Sequence, residues 1–251
     1  MKSVILAAGK GTRMRELTDE LPKPMLRVHG KPILEHILTG LKMAGILDAC
    51  IVVGWKSEVI KACFGDGSRL GMRIEYAHQE VQDGTGKAPE VARAFIGSDS
   101  FLLTYGDILV RPETYAEMIS RFGEDAFSGL LTVTQGEDVT KGAINFFDEA
   151  FRLKKIVEKP SISQLEALQK QGWLKSGDPA WYNAGIYIFK PVVFEFTARL
   201  HKSPRGEYEI TDAISALVDA GHALAGCRIQ GRWVDVRDPE VLRQLEAEAA
   251  G

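Results

Sequence analysis

The chain has 251 residues, enough for one large domain or two small ones. Its 45% hydrophobic and 26% charged residues exclude wholesale disorder, and 31 basic against 34 acidic residues (net charge -3) exclude a chain-wide polyanion-binding surface. Three cysteines without paired spacing (Cys50, Cys63, Cys227) exclude a disulfide scaffold and a four-Cys zinc site, and the first apolar run, residues 4–8, is too short for a signal-peptide core or a membrane span, so the expectation is a cytoplasmic protein with neither nucleic-acid nor membrane partners.

In chain order, residues 4–8 read as a buried strand closed by Gly9. Ile33, Leu34, Ile37, Leu38 and Leu41 recur at helical spacing, with Gly45 as the stop. Residues 49–53 form the next strand. Ser57 is placed to cap a helix carrying Val59, Ile60 and Cys63 on one face and ending at Gly65. Residues 73–77 alternate like a strand, Val91, Ala92 and Phe95 mark a helix, and residues 101–105 make a strand that runs into Gly106-Asp107. Alternation of strand and helix predicts an α/β, Rossmann-like fold: a mostly parallel central sheet with helices on both faces. Loops at Gly9, Gly54 and Gly106 should then meet at the carboxyl edge of the sheet, where such folds bind ligands.

The second half predicts a β-rich substrate lobe. Strands are expected at residues 126–134, 142–147, 153–158, 184–189 and 223–229, and helices at 162–171, 192–200 and 210–220, with a last helix opened by Pro239. No internal repeat or low-complexity linker interrupts the pattern, which reads as one domain, residues 1–251. Its later half adds a substrate-facing lobe.

Gly9-Lys10-Gly11-Thr12-Arg13, directly after the first strand, lets backbone N–H groups approach a phosphate, and Arg13 adds a fork of donors. A dinucleotide fingerprint requires a third Gly, where this chain has Met14, and an acid after the second strand, where it has Val53-Gly54-Trp55. The P-loop pattern fails too, because no Gly-Lys-Ser/Thr follows. Pro22 and Pro24 hold Lys23 on a stiff, extended segment, which suits a fixed anion contact; the plain alternative is a surface turn. The first 32 residues carry seven basic and three acidic side chains, net +4, so from a total of -3 the remainder carries -7. Positive potential is concentrated at the Gly loop.

Residues 6–14, Leu-Ala-Ala-Gly-Lys-Gly-Thr-Arg-Met, followed by Pro22-Lys23-Pro24, resemble the signature of sugar-1-phosphate nucleotidylyltransferases. The resemblance continues through Gly84-Thr85-Gly86, Tyr105-Gly106-Asp107, Glu158-Lys159-Pro160, Asn183-Ala184-Gly185, Glu209-Ile210-Thr211-Asp212 and Trp233-Val234-Asp235-Val236, in the family's order over nearly the whole chain. It implies transfer of a nucleotidyl group from a nucleoside triphosphate to a sugar 1-phosphate, with release of pyrophosphate and dependence on Mg²⁺. It implies Arg13 and Lys23 as catalytic cations, and Asp107 and Asp235 as Mg²⁺ ligands. Nucleotide contacts fall at Leu6, Ala8, Gly9, Gly11, Thr12, Gln79, Gly84 and Thr85. The sugar phosphate falls to Gly142, Glu158, Lys159 and Asn183.

The chemistry suits that assignment. A phosphate oxygen is already a nucleophile at neutral pH, so catalysis reduces to positioning and charge neutralisation at the α-phosphorus. Mg²⁺ takes one or two carboxylates beside phosphate oxygens and water. Each residue also has a plainer reading. Asp107 could end a strand in an Asx turn, Asp235 could be a structural carboxylate beside Trp233, and Glu158-Lys159 could be a surface pair. Thr211 and Asp212 equally suit a helix start, and Tyr182 either the sugar or packing. The chain departs from the family after Val236, where Arg237-Asp238 replaces the expected Gly-Thr. Gln79, five residues before Gly84, has the spacing of the pyrimidine-reading Gln of uridylyl- and thymidylyltransferases, with Gln82 as competitor, so UTP or dTTP is expected. Glucose 1-phosphate and N-acetylglucosamine 1-phosphate both remain open.

The five histidines show no metal-ligand spacing, Trp55, Trp173 and Trp181 read as packing, and the acids among Glu240, Glu246 and Glu248 with Ala247 and Ala249 read as a solvated helix face. Two other functions compete: a nicotinamide-dependent oxidoreductase, which lacks its second-strand acid, and a silent nucleotide-sugar sensor, which would not need both Asp107 and Asp235. Oligomeric state is not legible.

Overall fold

The computed structural model describes residues 1–124, 127–175, 177 and 180–248, the side chains of Arg15, Glu16 and Glu124 excepted. In chain order the elements are β1 (Lys2–Ala7), β2 (Arg27–Val28), β3 (Lys31–Pro32), α1 (Ile33–Met43), β4 (Asp48–Val53), α2 (Ser57–Phe64), β5 (Arg73–His78), α3 (Arg93–Ile96), β6 (Phe101–Tyr105), β7 (Ile108–Val110) and α4 (Pro112–Glu124). They continue with β8 (Gly129–Thr134), β9 (Ala143–Phe147), β10 (Leu153–Glu158), α5 (Ile162–Lys170), β11 (Trp181–Phe189), α6 (Val193–Thr197), α7 (Ile210–Asp219), β12 (Leu224–Arg228), β13 (Trp233–Asp235) and α8 (Pro239–Glu248).

Among the described residues nine strands share one sheet with the order β10-β9-β11-β6-β1-β4-β5, and β8, carrying β12 beyond it, joins at β11. β5, β4, β1 and β6 are mutually parallel; β8, β9 and β12 run the same way, and β11 and β10 run opposite. The expected fold class holds, and the β-rich lobe is a continuation of the same sheet. From β1 the chain winds out to β4 and β5, then returns to add β6 on the other side. This makes β1 the switch point, where a crevice opens at the carboxyl ends of the strands.

Period-two alternation divides the core. Ile5 and Ala7 of β1, with Ile51 and Val53 of β4, face α1, α2 and α4; Val4, Cys50 and Val52 face α6 and α7. Both faces are covered, which is why these strands read as unbroken apolar runs.

Several expected elements change. Ser57 opens α2 but does not cap it: Lys56 stands at the cap with φ +50° and there is no side-chain cap bond. The helix expected around Val91 and Phe95 is a 3-10 turn, Ala88–Ala92, followed by the four residues of α3. The helix expected over 192–200 closes at Thr197. The strand expected from Ala126 begins at Gly129, and Ala126, like Ala249, which was expected on the last helix face, lies outside the described residues. α4, the β2–β3 hairpin and the β7–β13 pair have no counterpart among the predicted elements. No described helix is long and apolar enough to cross a membrane.

Candidate active site

The loop after β1 opens a cleft of about 500 Å³. An added Cβ at Gly9 would meet no protein atom within 4 Å, so packing does not demand glycine there; the free space is the cleft itself. Gly11 has φ +66°, a left-handed conformation that favours glycine. After it the chain turns through a 3-10 segment, Thr12–Thr18. The Met14 N–H and the Thr18 hydroxyl both donate to the Gly11 carbonyl, at 2.8 and 3.1 Å, and close the turn. Arg13 and Thr12 line the cleft with Leu6, Ala8, Gly9 and Gly11.

Below this loop lies Lys23, buried with an 8% exposed side chain. Its Nζ sits 2.5 Å from Asp107 Oδ2 and 3.9 Å from Asp235 Oδ1. Asp107 follows β6 and Asp235 ends β13, and the pairing of β13 with β7 brings them together: Asp235 stands opposite Ile108, and the Val236 N–H donates to the Asp107 carbonyl at 3.0 Å. The two carboxylates, 128 positions apart in the sequence, therefore meet at one ammonium. Burial and the neighbouring Asp107 charge push the Asp235 carboxyl up to about 6, against the opposing pull of Lys23, Arg13 and Arg237.

At one end of the cleft Gln79 is buried and its Nε2 donates to the Gly84 carbonyl at 3.4 Å, while Gln82 Nε2 donates to the Gln79 carbonyl at 2.9 Å. Gly84 is there for the backbone: its φ is +126° and a Cβ would lie 2.6 Å from Tyr208 N. The Gly86 N–H donates to the Tyr208 carbonyl at 2.7 Å, tying the loop to the start of α7. Thr85 Oγ1 accepts the Ile210 N–H at 3.2 Å and so caps α7 from outside the helix, leaving Thr211 free for another contact.

That contact is Glu158. Thr211 Oγ1 donates to its Oε2 at 3.1 Å, Arg205 approaches its Oε1 at 3.4 Å, and Lys159 Nζ lies 3.7 Å from the same oxygen. Lys159 has φ +41°, an unfavourable backbone for a residue with a side chain, stabilised by its N–H donating to the Gly142 carbonyl at 2.9 Å. Gly142 packs under the Tyr182 ring, and burial pushes the Tyr182 hydroxyl up to about 12.

Asn183 does not precede its strand, as expected, but lies inside β11 where the register breaks, before Gly185. Its Oδ1 accepts from the Gly185 N–H at 3.1 Å and from the Tyr187 hydroxyl at 3.0 Å. Its Nδ2 is buried, has no protein partner, and belongs to a residue lining the cleft.

Every residue nominated from the sequence lines this cleft, except Lys23, which lines an adjoining cavity beyond Asp107. Tyr105, Tyr187, Arg205, Glu209 and Arg237 are not among the site residues that the sequence points to. Arg205 carried a signal, an acid four residues on, and Glu209 is the pair it forms. Among the described residues no group of three or more His, Cys, Asp or Glu could hold a metal. Two carboxylates fit Mg²⁺ only if a ligand's phosphate oxygens and water complete its shell, and a cleft lined by Gly9, Gly11 and Arg13 allows that.

A mostly parallel sheet with a cleft at its switch point, lined by a glycine loop and Arg13, defines an α/β protein of the class that binds ligands at the carboxyl ends of its strands. The chain belongs to the nucleotidyl transferase family, whose model matches residues 2–250. It is 32% identical over 242 residues to a UTP–glucose-1-phosphate uridylyltransferase, AglF, of Haloferax volcanii, covering 96% of this chain and 93% of that one. It is also 32% identical over 243 residues to the low-salt glycan biosynthesis nucleotidyltransferase Agl11 of the same organism, and there it spans 63% of the relative's length. The crystal structure of a UDP-glucose pyrophosphorylase complexed with UDP-glucose shares the fold, with a TM-score of 0.84 over 99% of this chain and 98% of that one at 21% identity.

Proposed function

We propose that the protein transfers a nucleotidyl group from UTP or dTTP to a sugar 1-phosphate. A phosphate oxygen of the sugar attacks the α-phosphorus, the new P–O bond forms, the bond to the β-phosphate oxygen breaks, and pyrophosphate leaves. The observation that carries the reading is the meeting of Asp107 and Asp235 at Lys23, with both carboxylates lining the same cleft as Gln79 and Glu158. The two relatives from Haloferax volcanii support it through the transferase activities in their names.

In this reading residues to about 110 hold the nucleotide and the later residues the sugar. Gln79 faces the base and its amide matches an imide edge. Gly9, Gly11 and Thr12 approach the phosphates, with Leu6, Ala8, Gly84 and Thr85 shaping the nucleoside end. Glu158, held by Thr211 and Arg205, accepts from sugar hydroxyls, and the unpartnered Asn183 Nδ2 donates to the sugar. Lys159, beside Gly142, meets the sugar phosphate. Asp107 and Asp235 would hold Mg²⁺, which when bound supplies charge neutralisation at the α-phosphate. Arg13 and Lys23 neutralise the triphosphate. The cellular setting of the reading is the cytoplasm.

The test is a grid of several triphosphates against several sugar 1-phosphates, read by Mg²⁺-dependent pyrophosphate release. Turnover is expected with UTP or dTTP and is expected to fall about 100-fold or more in Asp107→Asn with the fold intact. An Asp107→Asn protein of normal rate overturns the assignment of Asp107, and no release from any pair overturns the transferase reading.

A further inference from the structure

We propose that Arg237 contacts the triphosphate tail: with Arg13 and Lys23 it lines a separate cavity behind Asp107 that takes the β- and γ-phosphates and then the departing pyrophosphate. The inference rests on the nucleotidyl-transfer reading and adds to it a residue that stands where the family pattern has glycine.

The cavity holds about 210 Å³ and shares Leu6, Gly9, Gly11, Arg13 and Asp107 with the main cleft. Its own contributions are Lys23 and Arg237, together with Ala7, Pro24 and Gly106. Among the described residues, neither the base side (Gln79, Gly84) nor the sugar side (Glu158, Asn183) reaches it. In-line displacement sets the attacking and leaving oxygens on opposite sides of the phosphorus. With the sugar phosphate in the main cleft beside Lys159, the leaving group points away from the sugar side, and this cavity shares the Gly loop and Asp107 with the cleft but has none of its sugar-side residues. Three cationic side chains against one carboxylate give it a net positive lining suited to a polyanion.

Arg237 is held ready rather than used up. Nη2 lies 3.2 Å from Glu137 Oε2, and its backbone N–H donates to the Asp235 carbonyl at 2.8 Å. A guanidinium has five donors, so one carboxylate partner leaves a fork for phosphate oxygens. Its side chain remains about a quarter exposed, at 27%. A glycine at this position could supply none of these contacts.

A merely structural Arg237 would tie the turn before α8 to Glu137, and two substitutions separate the roles. The measurement is calorimetric binding of inorganic pyrophosphate with Mg²⁺ to the whole protein, alongside KM for triphosphate and for sugar 1-phosphate. Arg237→Ala is expected to weaken pyrophosphate binding and raise the triphosphate KM by about tenfold, with the sugar 1-phosphate KM unchanged within about twofold. Arg237→Lys, which keeps charge without the fork, is expected to recover part of the loss. Glu137→Gln, which breaks the tie but keeps the guanidinium, is expected to bind pyrophosphate as well as the parent or better. Equal losses in Arg237→Ala and Glu137→Gln, or an Arg237→Ala protein that binds pyrophosphate normally, overturn the proposal. A parent protein that binds pyrophosphate but turns over no substrate pair leaves Arg237 as a polyphosphate contact and removes the transferase reading instead.

Discussion

The Lys23 ammonium, 2.5 Å from Asp107 Oδ2, is the cation of the carboxylate pair, since Asp235 Oδ1 also lies within 3.9 Å of it. A divalent ion placed between those carboxylates competes with it. Lys23→Met is therefore expected to bind Mn²⁺ without nucleotide at least about tenfold more tightly than the parent, followed by electron paramagnetic resonance, although turnover falls by about 100-fold or more. Free-metal affinity that does not rise in Lys23→Met would show that the ammonium and the metal do not compete.

Asp235 gives stability a pH signature. Burial and Asp107 raise its folded pKa to about 6 from an ordinary value of 3.8. Between those values the folded protein binds the proton and the unfolded chain does not, so this residue's contribution to stability declines as pH rises through the window and stays low above it. Asp235→Asn removes the cost of a buried charge. Its Tm is expected to exceed the parent's at pH 8 by a few degrees, on the order of 1 kcal/mol or more, and to match it below pH 4. Thermal melts at both pH values, with metal chelated, check this; a variant less stable than the parent at pH 8 refutes it.

The parallel half was legible because β1, β4 and β6 are buried on both faces and so write continuous apolar runs ending in glycine. Short pairings write no such pattern. β7 and β13 are three residues each and only partly buried, yet their register is what sets Asp235 beside Asp107; the sequence offered the two aspartates and the family resemblance, not the strands that join them. α4 is amphipathic, with Tyr115, Met118 and Phe122 buried at helical spacing and Glu113, Glu117 and Arg121 on the opposite face; with as many polar as apolar residues it writes no apolar run to mark it. The resemblance places Asn183 on the sugar side, but the orientation of its amide depends on the Tyr187 hydroxyl and on the register shift of β11 between Asn183 and Tyr187, which no apolar periodicity writes.

Tyr187 acts through Asn183. Its hydroxyl and the Gly185 N–H both donate to Oδ1, which fixes the amide with Nδ2 as the unpartnered donor. Tyr187→Phe removes one of the two and lets the amide turn. The KM for sugar 1-phosphate is expected to rise about fivefold, the equivalent of about 1 kcal/mol, with the triphosphate KM unchanged. A triphosphate KM that moves instead would place the effect elsewhere in the cleft.

Trp55 clamps the Gly loop from the end of β4. Its backbone N–H donates to the Ala8 carbonyl at 3.1 Å, and its indole N–H reaches the Thr18 carbonyl at 3.4 Å. Lys10 Nζ lies 4.7 Å from the ring centroid, so one residue touches the loop at its start, at its first basic residue and at its far end. A packing tryptophan stabilises the fold alone, whereas a clamp also sets the loop geometry that the triphosphate meets. Trp55→Ala is expected to raise the triphosphate KM about tenfold with the sugar 1-phosphate KM held within about twofold. Trp55→Phe keeps the ring for Lys10 and loses the indole donor, so it is expected to fall between the two. Triphosphate binding should also change the tryptophan emission of the parent more than that of Trp55→Phe. Equal emission changes in both proteins, with a parent-like triphosphate KM in Trp55→Ala, would reduce Trp55 to packing.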